Sequence, residues 1–599
     1  MRRALTVLML STVAAATTSA AAAAAGLERF ESCDALKRFA AARAPAYDNF
    51  VTTQATGPVP AISAPTASPV SAREGADTAG DQVSTTNNQE QDVDEADLVK
   101  ATAKRLYVID SGALLVIDIS GAEPKIASRT EIPGAEELLV RGDRALVVGG
   151  APSLEPVTGD PAPAVRSTVL PGRAGEVVLT ELDISDPAKP EIRRSLTVAG
   201  SYETARLAGG VARVVIRSYP KAMDEPAAEA AGLSRFLPTS KIESRLTGRT
   251  YERPVVPCRS VRRAVPYSGL AMTTVLTVEI GDGLQNVDRD AVLADPDTVY
   301  ASANGTYVAS HRYVDGLESE DDMPAGAVTE INRFVTSPGG ETEQRGSAKV
   351  AGYVLNQFSL SEHDGVLRVA TTTTPAWLPD GSRSRKPESR VTTFELGERS
   401  LQRRGQVTGL GEDERIYAVR FLGELGYVVT FRQVDPLYVV DLSDPRSPKL
   451  AGELKIPGYS AYLHPVGDGR LLGIGSDADE RGRVPGAQVS LFDVSDPKAP
   501  KRLDSETWTG AYSPVENEHR AFLWWAPLDM AVIPLSGNSP FAEALTVTRD
   551  EITPGRRLPA GGWSDARSVI AGTRLFLLSS GGLRQFRLGN LEQTGALTY

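Results

Sequence analysis

The phrase Asp183-Ile184-Ser185-Asp186-Pro187 returns as Asp441-Leu442-Ser443-Asp444-Pro445 and as Asp493-Val494-Ser495-Asp496-Pro497. Each copy follows an apolar, β-rich run (VVLTEL, LYVV, SLF). Each leads through a second proline (Pro190, Pro448, Pro500) into another run. A degenerate copy starts at Asp118-Ile119-Ser120. Asp and Ser side chains bond turn backbone, and Pro fixes φ and cannot continue a ladder. The phrase therefore reads as a tight hairpin.

A second phrase alternates with it: a strand, a Gly/Asp/Asn turn, then a strongly apolar strand. It appears at Gly142-Asp143 before ALVVGG, Asn304-Gly305 before TYVAS and Asp364-Gly365 before VLRVA. It recurs at Leu425-Gly426 before YVVTF and Asp468-Gly469 before RLLGIG. Glycine there is expected to supply positive φ for a primed hairpin turn. Joined, the two phrases make a unit of four antiparallel strands. Units can be laid out from near Asp97, Glu136, Tyr202, Asp297, Leu355, Glu414, Tyr459, Ala511 and Trp563. Sheets repeated at such spacing cannot bury their faces alone and pack around an axis. The expectation is an all-β fold, a single large β-propeller of eight or nine four-stranded antiparallel blades over 89–599. The insertion 220–268 in the third unit is rich in Ala, Glu and Leu and permits one or two short helices.

The chain has 599 residues, a net charge of −12 and a pI near 5.2. That balance, with Lys and Arg spread along the chain, speaks against nucleic acid or an anionic membrane as partner. Arg2 and Arg3, the apolar stretch from Leu5 to Leu10 and the Ala-rich tail near Ala25 predict a signal peptide over 1–25. No integral membrane span is expected after its removal, and the location expected is extracellular or cell-envelope. Leu27, Phe30, Leu36, Phe39 and Ala40 approach helical spacing, predicting a short amphipathic helix within 26–45. Residues 46–88 are rich in Pro, Ala, Ser, Thr and Gly and predict a flexible linker.

Val93-Asp94-Glu95-Ala96-Asp97-Leu98-Val99-Lys100 resembles the opening signature of a family of secreted bacterial proteins whose C-terminal β-propeller is distantly related to WD repeats. Asn356 to Glu362, Tyr417 to Phe421, Val428 to Tyr438, His519 to Leu523 and the box Phe30 to Leu36 are similar to the same family. The resemblance covers nearly the whole chain after residue 25. It implies the fold and leaves function open, because propellers host unrelated functions.

No catalytic constellation is legible. His311, His363, His464 and His519 lie in separate units without metal-ligand spacing, so no metal site is predicted. Gly458-Tyr459-Ser460-Ala461-Tyr462 falls short of a nucleophile elbow, and Ser460 reads as a strand residue. The acidic residues Glu90, Asp92, Asp94, Glu95 and Asp97 could hold Ca²⁺ through oxygen. They lack the alternation of a calcium loop, and the favoured reading is a solvated entry to the first strand. Trp524 and Trp525 should point to opposite faces of a strand, one into inter-blade core and the other exposed. Cys33 and Cys258 are the only cysteines. In an oxidising compartment they are expected to pair, against the rival readings of buried free thiols or an intermolecular bond. The chain-entropy value of so long a loop is roughly 5 kcal/mol as an upper figure.

The function expected is an extracellular binding or interaction module, without cofactor, acting as a monomer on a protein or glycan ligand. The alternative is an extracellular hydrolase or lyase with carboxylates in the propeller channel.

Overall fold

A computed structural model describes residues 27–41 and 82–599. Within the second range it leaves out 91, 151–174, 220–231, 269–270, 315–325, 338, 374–385, 432–434, 457, 478–485, 538–539 and 560–565. The predicted signal peptide and most of the predicted linker lie outside the described residues.

Among the described residues the chain forms nine successive sheets, antiparallel except where Val261–Ser268 runs parallel to Val287–Ala294. These blades span 99–131, 135–199, 201–294, 298–351, 360–410, 415–456, 459–509, 523–559 and 567–598. Seven have four strands; blades 2 and 3 carry extra ones. Fourth strands such as Leu401–Leu410 and Gln593–Thr598 are largely exposed, whereas a second strand such as Arg470–Ser476 is wholly buried. The first strand of each blade therefore faces the axis.

Strand alternation sends neighbouring residues to opposite faces, so each blade feeds two cores. Leu138 packs toward blade 1 with Tyr107 and Ile109, and Leu139 toward blade 3 with Leu207 and Val214. The last such core joins the ends of the chain. Leu106, Leu115 and Ile117 of blade 1 meet Val569, Phe576 and Leu583 of blade 9. Arg574 Nη1 also donates to Gly121 O (2.7 Å), and Gln585 Nε2 to Ala122 O (2.9 Å). The ring closes by packing, with no strand of one end blade exchanged into the other.

The repeated phrase forms the turn between third and fourth strands. Asp183, Asp441 and Asp493 each accept the N–H (3.1, 3.0 and 3.0 Å) and the hydroxyl (2.6 Å) of the Ser two residues on. Asp118 does the same with Ser120. In the other phrase Asp364-Gly365 and Asp468-Gly469 both take positive φ, as a primed turn requires (48° and 74°, 46° and 69°). Gly305 and Gly426 depart from expectation: each lies in its blade's second strand without a positive φ. Their role is close approach, since a Cβ would sit 3.1 Å from Phe334 O at Gly305 and 3.0 Å from the Phe421 ring at Gly426.

In such a meander, first–second and third–fourth turns share one face of the ring, and second–third and fourth–first connections share the other. The long connections, such as those between Arg144–Gly150 and Glu176–Asp183 and between Val211–Ser218 and Met272–Glu279, join second to third strands. They gather on one face, the loop face. The opposite, turn face carries short hairpins.

The Ala/Glu-rich part of the insertion, 223–231, where the sequence permits helices, lies outside the described residues. The rest holds single 3₁₀ turns at Leu233–Arg235 and Cys258–Ser260, and adds a hairpin (Thr239–Ser244, Arg249–Pro254) to the outer strand of blade 2 and Val261–Ser268 to that of blade 3. Open ladder edges on two neighbouring blades take up these strands. At the N-terminus, Glu28–Arg29 pairs with Arg262 and Arg263, and the helix occupies 33–41, shorter than the predicted stretch. Cys33 and Cys258 form a disulfide with Cα atoms 5.3 Å apart, which fastens buried Leu36 against the insertion.

Two outcomes follow. Truncation after Ser580 removes the strands holding buried Leu583 and Phe586 and opens the joint between blades 9 and 1. The shortened protein should aggregate on light scattering where the full chain does not; an unchanged melt would end this account. The second concerns the turns. Asp183 is held down from 3.8 to about 2, chiefly by its bonds from Ser185. Its contribution is complete above about pH 4 and is lost as pH falls toward 2. Asp441→Ala, which removes the equivalent bonds, should cost about 1 kcal/mol in urea unfolding at pH 7.

Candidate functional site

Residues 82–97 do not form the linker and solvated entry that the sequence suggests. They run as a strap inside the ring. Val83 bridges Ala571 of blade 9, and Ser84 N donates to Ile570 O (2.8 Å). Asn87 Nδ2 donates to the Tyr462 hydroxyl of blade 7 (3.1 Å) and to His519 O (2.9 Å). Gln89 Nε2 donates to Gln357 O and Leu360 O at blade 5 (3.2 and 2.9 Å). Tyr300 of blade 4 donates to Glu90 (2.7 Å). Val93–Glu95 pairs with Arg206–Ala208 on the inner edge of blade 3, and Asp97 pairs with Leu138 of blade 2. The chain then enters blade 1. The approaches to the first strands of blades 5 and 8 are broken by short 3₁₀ turns at Gln357–Ser359 and His519–Ala521. Those turns supply the carbonyls that Gln89 and Asn87 need.

The acidic residues of the strap are charge partners. Asp92 is exposed, but Glu95 and Asp97 are each only 3% exposed. Glu95 faces Arg206 (3.4 Å) and accepts from Gln357 Nε2 (3.1 Å). Asp94 pairs with Lys100 (2.7 Å). Asp97 begins an alternating chain: Arg567 (2.7 Å), then Glu518 (3.3 Å), Arg520 (2.9 Å) and Glu137 (2.6 Å). Tyr202 donates to Glu137 (2.7 Å), and Arg520 donates to Ala96 O. Burial opposes charge on Glu518, but Arg520 and Arg567 outweigh it and hold the carboxyl below its usual range. Among the described residues no group of three or more His, Cys, Asp or Glu is arranged to hold a metal.

The four histidines stay apart. His464 and His519 are buried, and burial pushes both well below the usual imidazole range, so they are neutral. His464 Nδ1 bonds Tyr462 (2.8 Å), and His519 Nε2 lies 3.6 Å from Glu95. His311 sits on the loop face against Asp297 (2.8 Å), whose bond raises it. His363 borders a cavity on the turn face. Ser460 is a buried strand residue paired with Gly475. Trp524 and Trp525 do take opposite faces, but both are half-buried, one in each neighbouring core.

Three groupings escaped the sequence reading. The cavity, about 200 Å³, lies between blades 5 and 6 beside the strap; Gln89, Glu90, Phe358, Arg368, Arg420 and Phe421 are among its walls. On the loop face Tyr417, Phe431 and Tyr459 cluster with ring centroids 5.1 to 5.3 Å apart, and Arg415 lies over Tyr417 at 4.8 Å. All three rings are half-buried, and Glu516 takes the Tyr459 hydroxyl (3.0 Å). Also on the loop face, Glu203 pairs with Arg217 (2.9 Å) near Asp295 and Asp297. Burial, and to a lesser degree Asp297 and Asp295, push Glu203 up to about 7 against the pull of Arg217.

The β-propeller domain family, through its sequence model, matches residues 83–591, beginning where the strap begins. An uncharacterized protein of Methanocaldococcus jannaschii is 43% identical over 178 residues, which are 30% of this chain and 26% of that protein. An uncharacterized protein of Archaeoglobus fulgidus is 44% identical over 183 residues, 31% of this chain and 26% of that protein. The match thus spans about a quarter of each archaeal relative's length. Among solved structures, the periplasmic gluconolactonase of Pseudomonas aeruginosa is similar over 54% of this chain and 91% of its own, at 14% identity and TM-score 0.34. A putative 6-phosphogluconolactonase from Bacteroides uniformis covers 54% and 92%, at 12% identity and TM-score 0.33.

Removing one partner of a buried ion pair leaves the others desolvated and uncompensated. Arg520→Met removes the cation of Glu137, leaves Glu518 with Arg567 alone and frees the Ala96 carbonyl. It should lower stability by about 3 kcal/mol, read as a shifted denaturation midpoint, while Arg129→Met in an exposed pair (Arg129–Glu131) should change it by under about 0.5 kcal/mol.

Proposed function

Because the chain belongs to the β-propeller domain family, we propose that it is a rigid binding ring, secreted or held at the cell envelope, that docks a glycan on its loop face. The observation carrying this reading is the strap. It crosses the ring on the axial side and already engages the carboxylates there, with Glu95 and Asp97 committed to arginines. Recognition is then left to the loop face, where the long connections gather. The aromatic group of Tyr417, Phe431 and Tyr459 stands on that face. Half-buried aromatic rings offer apolar faces to the C–H side of a sugar, and Arg415 and Glu516 offer hydrogen bonds at the rim. The signal-like sequence of 1–25 and the Cys33–Cys258 bond support an oxidising compartment.

A second reading rests on Glu203. A carboxyl near 7 beside Arg217, Asp295, Asp297 and His311 is suited to general acid chemistry on an extracellular polymer. The hydrolase alternative thereby moves from the channel to the loop face between blades 3 and 4.

Affinity electrophoresis of the secreted protein in gels containing cell-wall polysaccharides tests both. Retardation by a glycan, reduced at least tenfold in Tyr417→Ala with an unchanged melt, is the expected result. No retardation by any wall glycan would overturn the docking reading. Release of reducing ends that disappears in Glu203→Gln would favour the enzyme instead.

A further inference from the structure

The turn-face cavity between blades 5 and 6 stands apart from the loop face. Protein interiors leave few voids larger than a water molecule. Its volume of about 200 Å³ has room for roughly six or seven waters at about 30 Å³ each. The walls are built from charged groups taken out of solvent: Arg368 is 4% exposed and Arg420 is 3% exposed. Each guanidinium lies by an aromatic ring, Arg368 over Phe421 (5.0 Å) and Arg420 over Phe358 (6.0 Å).

Arg368 is the informative group. Its Nη atoms donate to the Ser361 hydroxyl (2.6 Å) and to the Gly423 carbonyl, both neutral. Its Nε is buried without a hydrogen-bond partner. The neighbouring carboxylates take their hydrogen bonds from blade 4 instead. Glu362 accepts from Ser302 (2.6 Å), Tyr307 (2.7 Å) and Asn304 (3.0 Å), and Glu90 accepts from Tyr300 (2.7 Å). Each Nη keeps a second N–H, and a planar donor fork in a low-dielectric wall with hydrogens still to give matches an oxyanion.

We propose that this cavity binds a small monocarboxylate, with the acid group on the fork of Arg368, Arg420 adding a second positive charge, and the carbon skeleton between Phe358 and Phe421. Glu90 and Glu362 at the rim select against a dianion, which they repel more strongly than a single charge. The volume suits a hydroxy acid or one sugar acid. Glu90 is the strap's own carboxylate, so the strap sets the charge of the site. Burial raises Glu90 against the effect of Tyr300, Arg420 and Arg368, while Glu362 raises it further. As pH falls, protonation of Glu90 favours the anion, and the His363 imidazole also borders the cavity. Only Glu90→Gln at fixed pH isolates the strap.

The test is isothermal titration of the protein with acetate, D-glucuronate and inorganic phosphate at pH 7.5, using wild type, Arg368→Met and Glu90→Gln, each checked by its melt. The expected result is one site for acetate or glucuronate, weakened at least tenfold in Arg368→Met and tightened at least threefold in Glu90→Gln. Absence of carboxylate binding at millimolar concentration overturns the proposal. So does tighter binding of phosphate, or a carboxylate affinity unchanged in a folded Arg368→Met. Should that variant fail to fold, Glu90→Gln decides alone, and an affinity that does not rise overturns it.

Discussion

The alternating charges Asp97–Arg567–Glu518–Arg520–Glu137 are the constraint on which the rest of the ring depends. Face packing can close nine blades, but it leaves the inner edges of their first strands with backbone groups that need partners. The strap supplies them, as a short ladder on blade 3 and single bridges on blades 2 and 9. Its charges then make the arrangement all-or-none. A buried carboxylate is tolerable only with its arginine in place, and the partners come from opposite ends of the chain: Asp97 and Arg567 are 470 residues apart. Closure by Leu106, Phe576 and their neighbours and closure by charge therefore reinforce each other.

The same geometry divides the two faces. Short turns capped by Asp–Ser pairs hold the turn face in fixed register, so they leave little room for insertion. The long segments join second to third strands instead. The described part of the largest one folds back to widen blades 2 and 3, where the N-terminal helix is held by the disulfide. The loop face carries the long connections of a rigid scaffold, the usual arrangement for recognition, whereas the cavity beside Arg368 belongs to the scaffold itself.

The residues that matter most were in view without being legible. Arg420 lies in Tyr417 to Phe421 and Arg520 in His519 to Leu523, both stretches that carry the family resemblance, and Arg368 interrupts VLRVA. A cation inside an apolar strand run is the signal: it implies a buried partner, since such a charge is costly alone. The signal names no partner. Nothing in the sequence around Glu95 points to Arg206, Gln357 or His519, and the lack of a calcium loop's alternation from Glu90 to Asp97 made a solvated strand entry the natural reading.

The sequence alone determined the hairpins and their four-strand grouping, and it set the expectation of a bond between its two cysteines. Those features rest on local backbone chemistry, on period-two alternation and on counting, all of which are written in contiguous residues or in composition. Tertiary structure alone decided that 82–97 crosses the ring, that its acids are paired, and that Arg368 and Arg420 wall a cavity. These depend on which blades lie opposite one another once the ring closes, and the desolvation that makes a charge costly or useful exists only after the surrounding side chains have packed.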